Sequence, residues 1–150
     1  MINAPTSGSS RPQPVAYVAE RFPELKIAID HLAIPRSKKD DEAFTEIGKL
    51  LALAKYPNVS VKATSLPSYT TDQYPYRRLH PHIRRIYDAF GPRRIFWGSD
   101  LSKLPCPYKD CVTMFTEEIP WLSKDDKEWI MGRALCEWLS WQPTAEQYLQ

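Results

Sequence analysis

The chain has 150 residues, of which 43% are hydrophobic and 25% charged, and 20 basic against 18 acidic side chains give a net charge of +2. This composition excludes an extended disordered chain and gives no global attraction to nucleic acid. The length favours one domain spanning 1–150. There is no apolar run of bilayer length and no signal-peptide pattern, which predicts a cytoplasmic protein without a membrane partner.

Proline positions reveal a repeated layout along the chain. Three segments each place a proline before a short strand-like run that ends on a polar residue; they read "FPELKIAIDH", "YPNVSVKATS" and "GPRRIFWGSD". The prolines, Pro23, Pro57 and Pro92, are 34 and 35 residues apart. A period of this size predicts a repeated supersecondary unit with one strand in each copy.

The elements follow in chain order from the N-terminus. "MINAP" reads as the end of a strand, "RPQPVAYVAERF" as a helix, and residues 26–30 as the first strand of the repeat. Next comes a helix whose apolar face is predicted from spacings of three and four residues, with Asp40 or Asp41 as its cap. That face consists of Phe44, Ile47, Leu51 and Ala54.

The second half of the chain continues the alternation. A strand in "NVSVKATS" precedes a helix with Pro81 in its first turn, whose apolar face holds Leu79, Ile83, Ile86 and Phe90. After the strand "RIFW", two closing helices are predicted, the second opening on a Ser123-x-x-Asp126 capping arrangement. Its tryptophans, Trp129, Trp138 and Trp141, are expected to pack this helix against the rest of the fold.

Strand and helix alternating in this way predict an α/β fold with parallel strands and helices packed outside them. Ligands of such folds bind at the carboxyl ends of the strands. His31, Ser65 and Asp100 each lie eight residues beyond a repeat proline, at such an end. We therefore expect them to share one edge of the sheet, with Ser65 as a substrate-binding residue.

His31 and Asp100 carry the predicted chemistry. An imidazole at a strand end binds a metal ion or moves a proton, and a carboxylate binds a metal ion or activates water as a general base. The structural alternatives are a histidine bonded to the backbone and an aspartate in a Gly-Ser-Asp turn. The equivalent positions of His31 and Asp100 favour the functional roles. As metal ligands the two residues are an incomplete set, because catalytic zinc takes three protein ligands.

Other polar clusters are assigned to structure. The chain has three cysteines, Cys106, Cys111 and Cys136. An odd number fits reduced, packed thiols better than disulfides, and the spacing does not match a zinc knuckle. His80 and His82 flank a helix start and are expected at the surface or in a cap. The arginine pairs are expected on solvated helix faces, so no nucleic-acid partner is predicted.

Four stretches resemble one protein family: "FPELKIAIDHLAIP", "PNVSVKATSL", "IYDAFGPRRIFWGSD" and "MGRALCEWLSW". They are similar, in order and spacing, to the amidohydrolase-related (amidohydrolase 2) family of metal-dependent TIM-barrel hydrolases. The resemblance implies strands six to eight of a (β/α)8 barrel, with "MINAP" as the tail of strand five. It implies His31 and Asp100 as metal ligands or catalytic residues, and zinc or manganese as cofactor.

The resemblance also implies the reaction, which is hydrolysis of a lactone or cyclic ester of a small carboxylic acid. One alternative is a metal-dependent decarboxylase of an aromatic acid. The strand-one H-x-H pair of the family is absent, and Asn3-Ala4-Pro5 stands where strand five often ends on a histidine. Since a full barrel takes about 250 residues, we expect a partial TIM barrel, the C-terminal half.

The hydrolase assignment therefore applies to the family, because a half barrel lacks the N-terminal strands that family members have. A further alternative is therefore an inactive remnant, or a fragment completed by a partner chain. An exposed barrel edge predicts a homo-oligomer.

Overall fold

A four-stranded parallel sheet forms the centre of the molecule. The computed structural model describes residues 2–3 and 13–142. The strands lie in the order β1-β2-β3-β4, each parallel to the next. They are β1 (Ile2–Asn3), β2 (Ile27–Ile29), β3 (Val59–Thr64) and β4 (Ile95–Gly98). The parallel α/β class predicted from the repeat is confirmed; closure into a barrel stays a prediction.

Helices connect the strands and follow the last one. In the sheet register, Ile27 pairs with Val59 and Val61 pairs with Ile95. The helices are α1 (Gln13–Arg21), α2 (Asp40–Ala43), α3 (Ile47–Leu51), α4 (His80–Phe90), α5 (Tyr108–Thr116), α6 (Lys124–Glu128) and α7 (Ala134–Leu139).

One face of the sheet carries the main hydrophobic core. Alternate strand residues point to the same face, and those of this face are apolar and buried. They pack against α1 to α5 in one cluster with the buried Leu79, Ile83, Ile86 and Phe90 of the α4 segment. The apolar face predicted for this helix is therefore confirmed, and Pro81 lies in its first turn as expected.

The C-terminal helix packs on the other face of the sheet. Ala28 of β2 and Phe96 of β4 form a second cluster with Trp129 and Ala134, and Trp138 packs at its margin. Phe96 and Trp138 have ring centroids 5.7 Å apart. Two of the three tryptophans thus attach the last helix as predicted, whereas Trp141 is half exposed.

The helix predicted after β2 is broken into pieces. Its α-helical parts, α2 and α3, are separated at Phe44, and a 3₁₀ turn follows over Ala52–Lys55. The predicted cap at Asp40 or Asp41 is wrong, because both residues lie inside α2 and its cap residue is Lys39, without a side-chain bond. The shorter pieces still bury Ile47 and Leu50.

Asp40 instead joins the start of α2 to the loop after β3. Its carboxylate accepts hydrogen bonds from Thr70 Oγ1 at 2.6 Å, from the Thr71 N–H at 3.0 Å and from Thr71 Oγ1 at 2.6 Å. These bonds hold the pKa of Asp40 at about 2, below its ordinary 3.8. The start of α2 is thereby fixed to the loop after β3, a contact that local sequence pattern does not report.

Arg94, just before β4, holds the amino end of the sheet. Arg94 donates to the carbonyls of Ala54, Tyr56 and Val59 at 2.9 to 3.1 Å. Further along the chain, Ser123 and Asp126 form the predicted capping box at the start of α6. The strands therefore begin from a rigid base, and their carboxyl ends project to the opposite edge.

Candidate functional site

The three polar strand ends adopt the same backbone conformation. His31, Ser65 and Asp100 have φ values of 49°, 53° and 47°, in the left-handed region. Each lies in or directly before a 3₁₀ turn. Left-handed backbone costs a residue other than glycine roughly 1–3 kcal/mol and concentrates at functional sites. The repeat seen in the prolines is therefore also a repeat of strained strand ends.

His31 and Asp100 come together across the end of β3. His31 Nε2 lies 3.8 Å from Asp100 Oδ2, and their side chains are 17% and 26% exposed. The two strands that carry them, β2 and β4, both pair with β3. A pair of this kind, half-buried and open to solvent, can hold or transfer a proton at the carboxyl edge.

Thr64 completes the contact between these strand ends. Its Oγ1 lies 2.6 Å from His31 Nδ1, the ring nitrogen that does not face Asp100. Thr64 is paired in the sheet with Gly98. A Cβ at Gly98 would lie 2.7 Å from Thr64 Cγ2. Glycine is therefore needed at 98 for space, and the sequence alone did not indicate this.

Ser65 is the strand-end residue that turns away from the pair. The residue is only 2% exposed, and its hydroxyl lies 3.1 Å from Ser68 Oγ within the same turn. The peptide N–H of Ser65 donates to the carbonyl of Gly98 at 3.1 Å. Ser65 thus stabilises the turn, and its assignment to substrate stays a prediction.

A polar stripe continues from Thr64 along β3. Ser60, Lys62 and Thr64 alternate with the apolar residues that face the main core. Lys62 Nζ forms an ion pair with Asp30 Oδ1 at 2.7 Å, beside the strand end that leads into His31. The alternation in "SVKAT" was the signal for this stripe, but neither Lys62 nor Thr64 was predicted as a site residue from the sequence.

The described residues at this edge supply only part of a metal-ligand set. Among residues 2–3 and 13–142 there is no group of three or more His, Cys, Asp or Glu side chains able to hold a metal ion. His31 and Asp100 are suitable zinc ligands by chemistry, but catalytic zinc takes three from the protein. Cys106, Cys111 and Cys136 are free thiols, and burial raises the pKa of Cys111 to about 12.

The remaining histidines and the arginine pairs serve packing. His82 stacks on Phe44, with ring centroids 4.0 Å apart, and its Nε2 lies 3.0 Å from Asp41. His80 bonds to a backbone carbonyl. Arg93 stacks over the Trp129 ring at 3.9 Å.

In the described part of the chain, no helix combines the length and the apolar character that crossing a bilayer requires.

The fold and the site together define an α/β protein with an imidazole and a carboxylate at the carboxyl edge of a parallel sheet. Residues 7–134 match the family model described as Amidohydrolase. This chain therefore belongs to the amidohydrolase family. The family predicted from the strand motifs is confirmed.

Individual relatives agree with the family. An L-fucono-1,5-lactonase from Burkholderia ambifaria is 37% identical over 87 residues, 55% of this chain and 28% of that protein. A zinc-bound amidohydrolase from Burkholderia multivorans has a TM-score of 0.73 at 20% identity, covering 87% of this chain and 49% of its own.

A third relative is a probable 2-pyrone-4,6-dicarboxylic acid hydrolase from Acinetobacter baumannii, with citric acid bound. It has a TM-score of 0.61 at 16% identity over 93% of this chain and 51% of its own. The chain thus spans less than a third of the curated relative and about half of these solved structures. At these identities, the likeness to the solved structures shows the fold.

Proposed function

We propose that this chain forms the catalytic edge of a hydrolase that opens a lactone or cyclic ester of a small carboxylic acid. The observation that carries the proposal is the contact of His31 Nε2 with Asp100 Oδ2 at 3.8 Å, at the carboxyl edge of the sheet. Two relatives support the substrate class, because one is a lactonase and the other a pyrone hydrolase. Both of those ring types are cyclic esters.

In the proposed mechanism, Asp100 acts as general base and His31 as electrophilic stabiliser. Asp100 takes a proton from a water molecule whose oxygen attacks the lactone carbonyl carbon. Nε2 of His31 stabilises the negative charge that develops on the carbonyl oxygen. The acyl–oxygen bond of the ring then breaks, and the proton held by Asp100 passes to the leaving oxygen. The product is the open hydroxy acid.

The proposed setting is a partial (β/α)8 barrel in which β1 to β4 correspond to strands five to eight. The parallel order of the strands and the apolar face under α1 to α5 support this assignment. In this proposal residues 1–150 form one domain, and further strands close the barrel around the substrate.

By its family membership, the proposed hydrolase would use zinc or manganese as cofactor. The zinc of the Burkholderia multivorans neighbour supports it, and His31 and Asp100 are the donors this chain would contribute. Two donors do not complete a zinc site. The incomplete set also favours the second candidate, an inactive remnant or a fragment that a partner chain completes.

Lactone hydrolysis by the purified chain tests the proposal. L-fucono-1,5-lactone and 2-pyrone-4,6-dicarboxylate serve as probes, with and without added zinc or manganese, and acid release is followed. We expect Asp100→Asn to lower kcat at least about 100-fold, the usual contribution of a general base. Asp88→Asn, which removes an exposed carboxylate paired with Arg84 on α4, is the matched control and should leave the rate unchanged.

Three results decide between the candidates. An undiminished rate in a folded Asp100→Asn variant would refute the role of Asp100. A folded chain that hydrolyses neither probe with either metal would refute independent activity and favour the remnant. A metal ion that binds raises the melting temperature of the chain, so the absence of any shift with zinc or manganese would remove the metal from the proposal.

A further inference from the structure

Thr64 holds the imidazole of His31 by the nitrogen that faces away from Asp100. Its Oγ1 lies 2.6 Å from Nδ1, while Nε2 lies 3.8 Å from the Asp100 carboxylate. A flip of the ring would exchange the positions of its nitrogen and carbon atoms and break the bond to Thr64. We propose that Thr64 is a positioning residue that keeps Nε2 of His31 directed at Asp100. This inference rests on the proposed roles of His31 and Asp100 and adds the group that orients His31.

The hydroxyl also stabilises one tautomer of the ring, together with the carboxylate of Asp100. In a neutral histidine one ring nitrogen carries the proton, and the hydrogen bond made by the other nitrogen decides which. A threonine hydroxyl can donate or accept. The carboxylate of Asp100 favours the proton on Nε2, so the Thr64 O–H donates to Nδ1. Nε2 then carries the N–H that the proposed mechanism uses to stabilise the developing oxyanion.

Gly98 makes room for this arrangement on the neighbouring strand. The two residues are directly paired between β3 and β4. The Cβ of an alanine at 98 would lie 2.7 Å from the Thr64 methyl group, closer than such atoms approach in proteins. The methyl group, not the hydroxyl, is the obstacle. Serine at 64 keeps the hydroxyl and lacks the methyl group, so it should tolerate alanine at 98.

Nitrogen-15 NMR of the histidine side chains tests the proposal without any substrate. The chain has three histidines, His31, His80 and His82, which single substitutions assign. In the wild type, we expect His31 to show the well-separated Nδ1 and Nε2 shifts of one tautomer. Thr64→Val, which replaces the hydroxyl with a methyl group, should bring the two shifts together through tautomer exchange. Thr64→Ser should retain the wild-type pattern.

A second pair of variants keeps the test decisive if Thr64→Val does not fold. Gly98→Ala should disturb the His31 shifts, and Gly98→Ala combined with Thr64→Ser should restore them, while His80 and His82 stay unchanged. The proposal is overturned if a folded Thr64→Val variant keeps the wild-type pattern or if Thr64→Ser loses it. It is likewise overturned if the double variant is no closer to wild type than Gly98→Ala.

The NMR result and the hydrolysis assay report on different claims. If the shifts respond as expected and neither lactone probe is hydrolysed, the proposed function fails and the positioning of His31 by Thr64 stands. If the chain hydrolyses a lactone and the shifts do not respond, the function stands and Thr64 has no positioning role.

Discussion

Substitution of Arg94 by methionine should destabilise the chain by about 3 kcal/mol. The guanidinium donates to the carbonyls of Tyr56 and Ala54 at 2.9 Å and of Val59 at 3.1 Å, with a longer bond to Phe90 at 3.2 Å. A net value of about 1 kcal/mol for each of the three shorter bonds gives this total. The side chain is half-buried, so the larger values measured for fully buried charges do not apply.

The neighbouring Arg93 provides a matched control. It pairs with Glu137 at 3.2 Å, with both side chains more than half exposed, and it stacks on Trp129. An exposed ion pair contributes roughly 0–1 kcal/mol, and an exposed cation–π contact adds about 0.5–1 kcal/mol. Arg93→Met should therefore cost roughly 0.5–2 kcal/mol, less than Arg94→Met.

Urea denaturation of the two variants and the wild type measures the difference. Arg94→Met should shift the midpoint to lower urea with an unchanged slope, and a loss of about 3 kcal/mol corresponds to roughly 6–12 °C in melting temperature. The free energy of unfolding of Arg94→Lys should lie between those of the wild type and Arg94→Met, because a lysine cannot bond to all three carbonyls as the planar guanidinium does. Equal destabilisation by Arg93→Met and Arg94→Met would refute the view that Arg94 holds the base of the sheet.

Two further predictions concern titration and thiol reactivity. Because hydrogen bonds lower the pKa of Asp40 to about 2 from 3.8, its contribution to stability is complete above 3.8 and lost as the pH falls toward 2. The stability gap between wild type and Asp40→Asn should narrow over that range in urea titrations, and a constant gap would contradict this assignment. Burial raises the pKa of Cys111 to about 12, so iodoacetamide at neutral pH should label the more exposed Cys136 first. Mass spectrometry reads the order, and equal labelling of both thiols would contradict the burial of Cys111.

Local sequence pattern was sufficient for the repeated units and for the strand ends. Prolines stop helices and precede strands by their own geometry, so the period of 34 and 35 residues located β2, β3 and β4. The apolar spacing of α4 was equally local. The helix after β2 was less predictable, because the tertiary contacts of Asp40 with Thr70 and Thr71 lie 30 and 31 residues away.

The candidate site, too, was predictable from local sequence in some respects and dependent on tertiary contacts in others. The sequence by itself determined that His31, Ser65 and Asp100 occupy equivalent strand ends, and the motifs around them indicated the amidohydrolase family. Only the three-dimensional structure shows that His31 meets Asp100, that the Ser65 hydroxyl lies within its own turn, and that Thr64 contacts His31 opposite Gly98. The physical reason is that periodicity specifies where a strand ends, whereas side-chain contacts across strands depend on register and packing between residues distant in the chain.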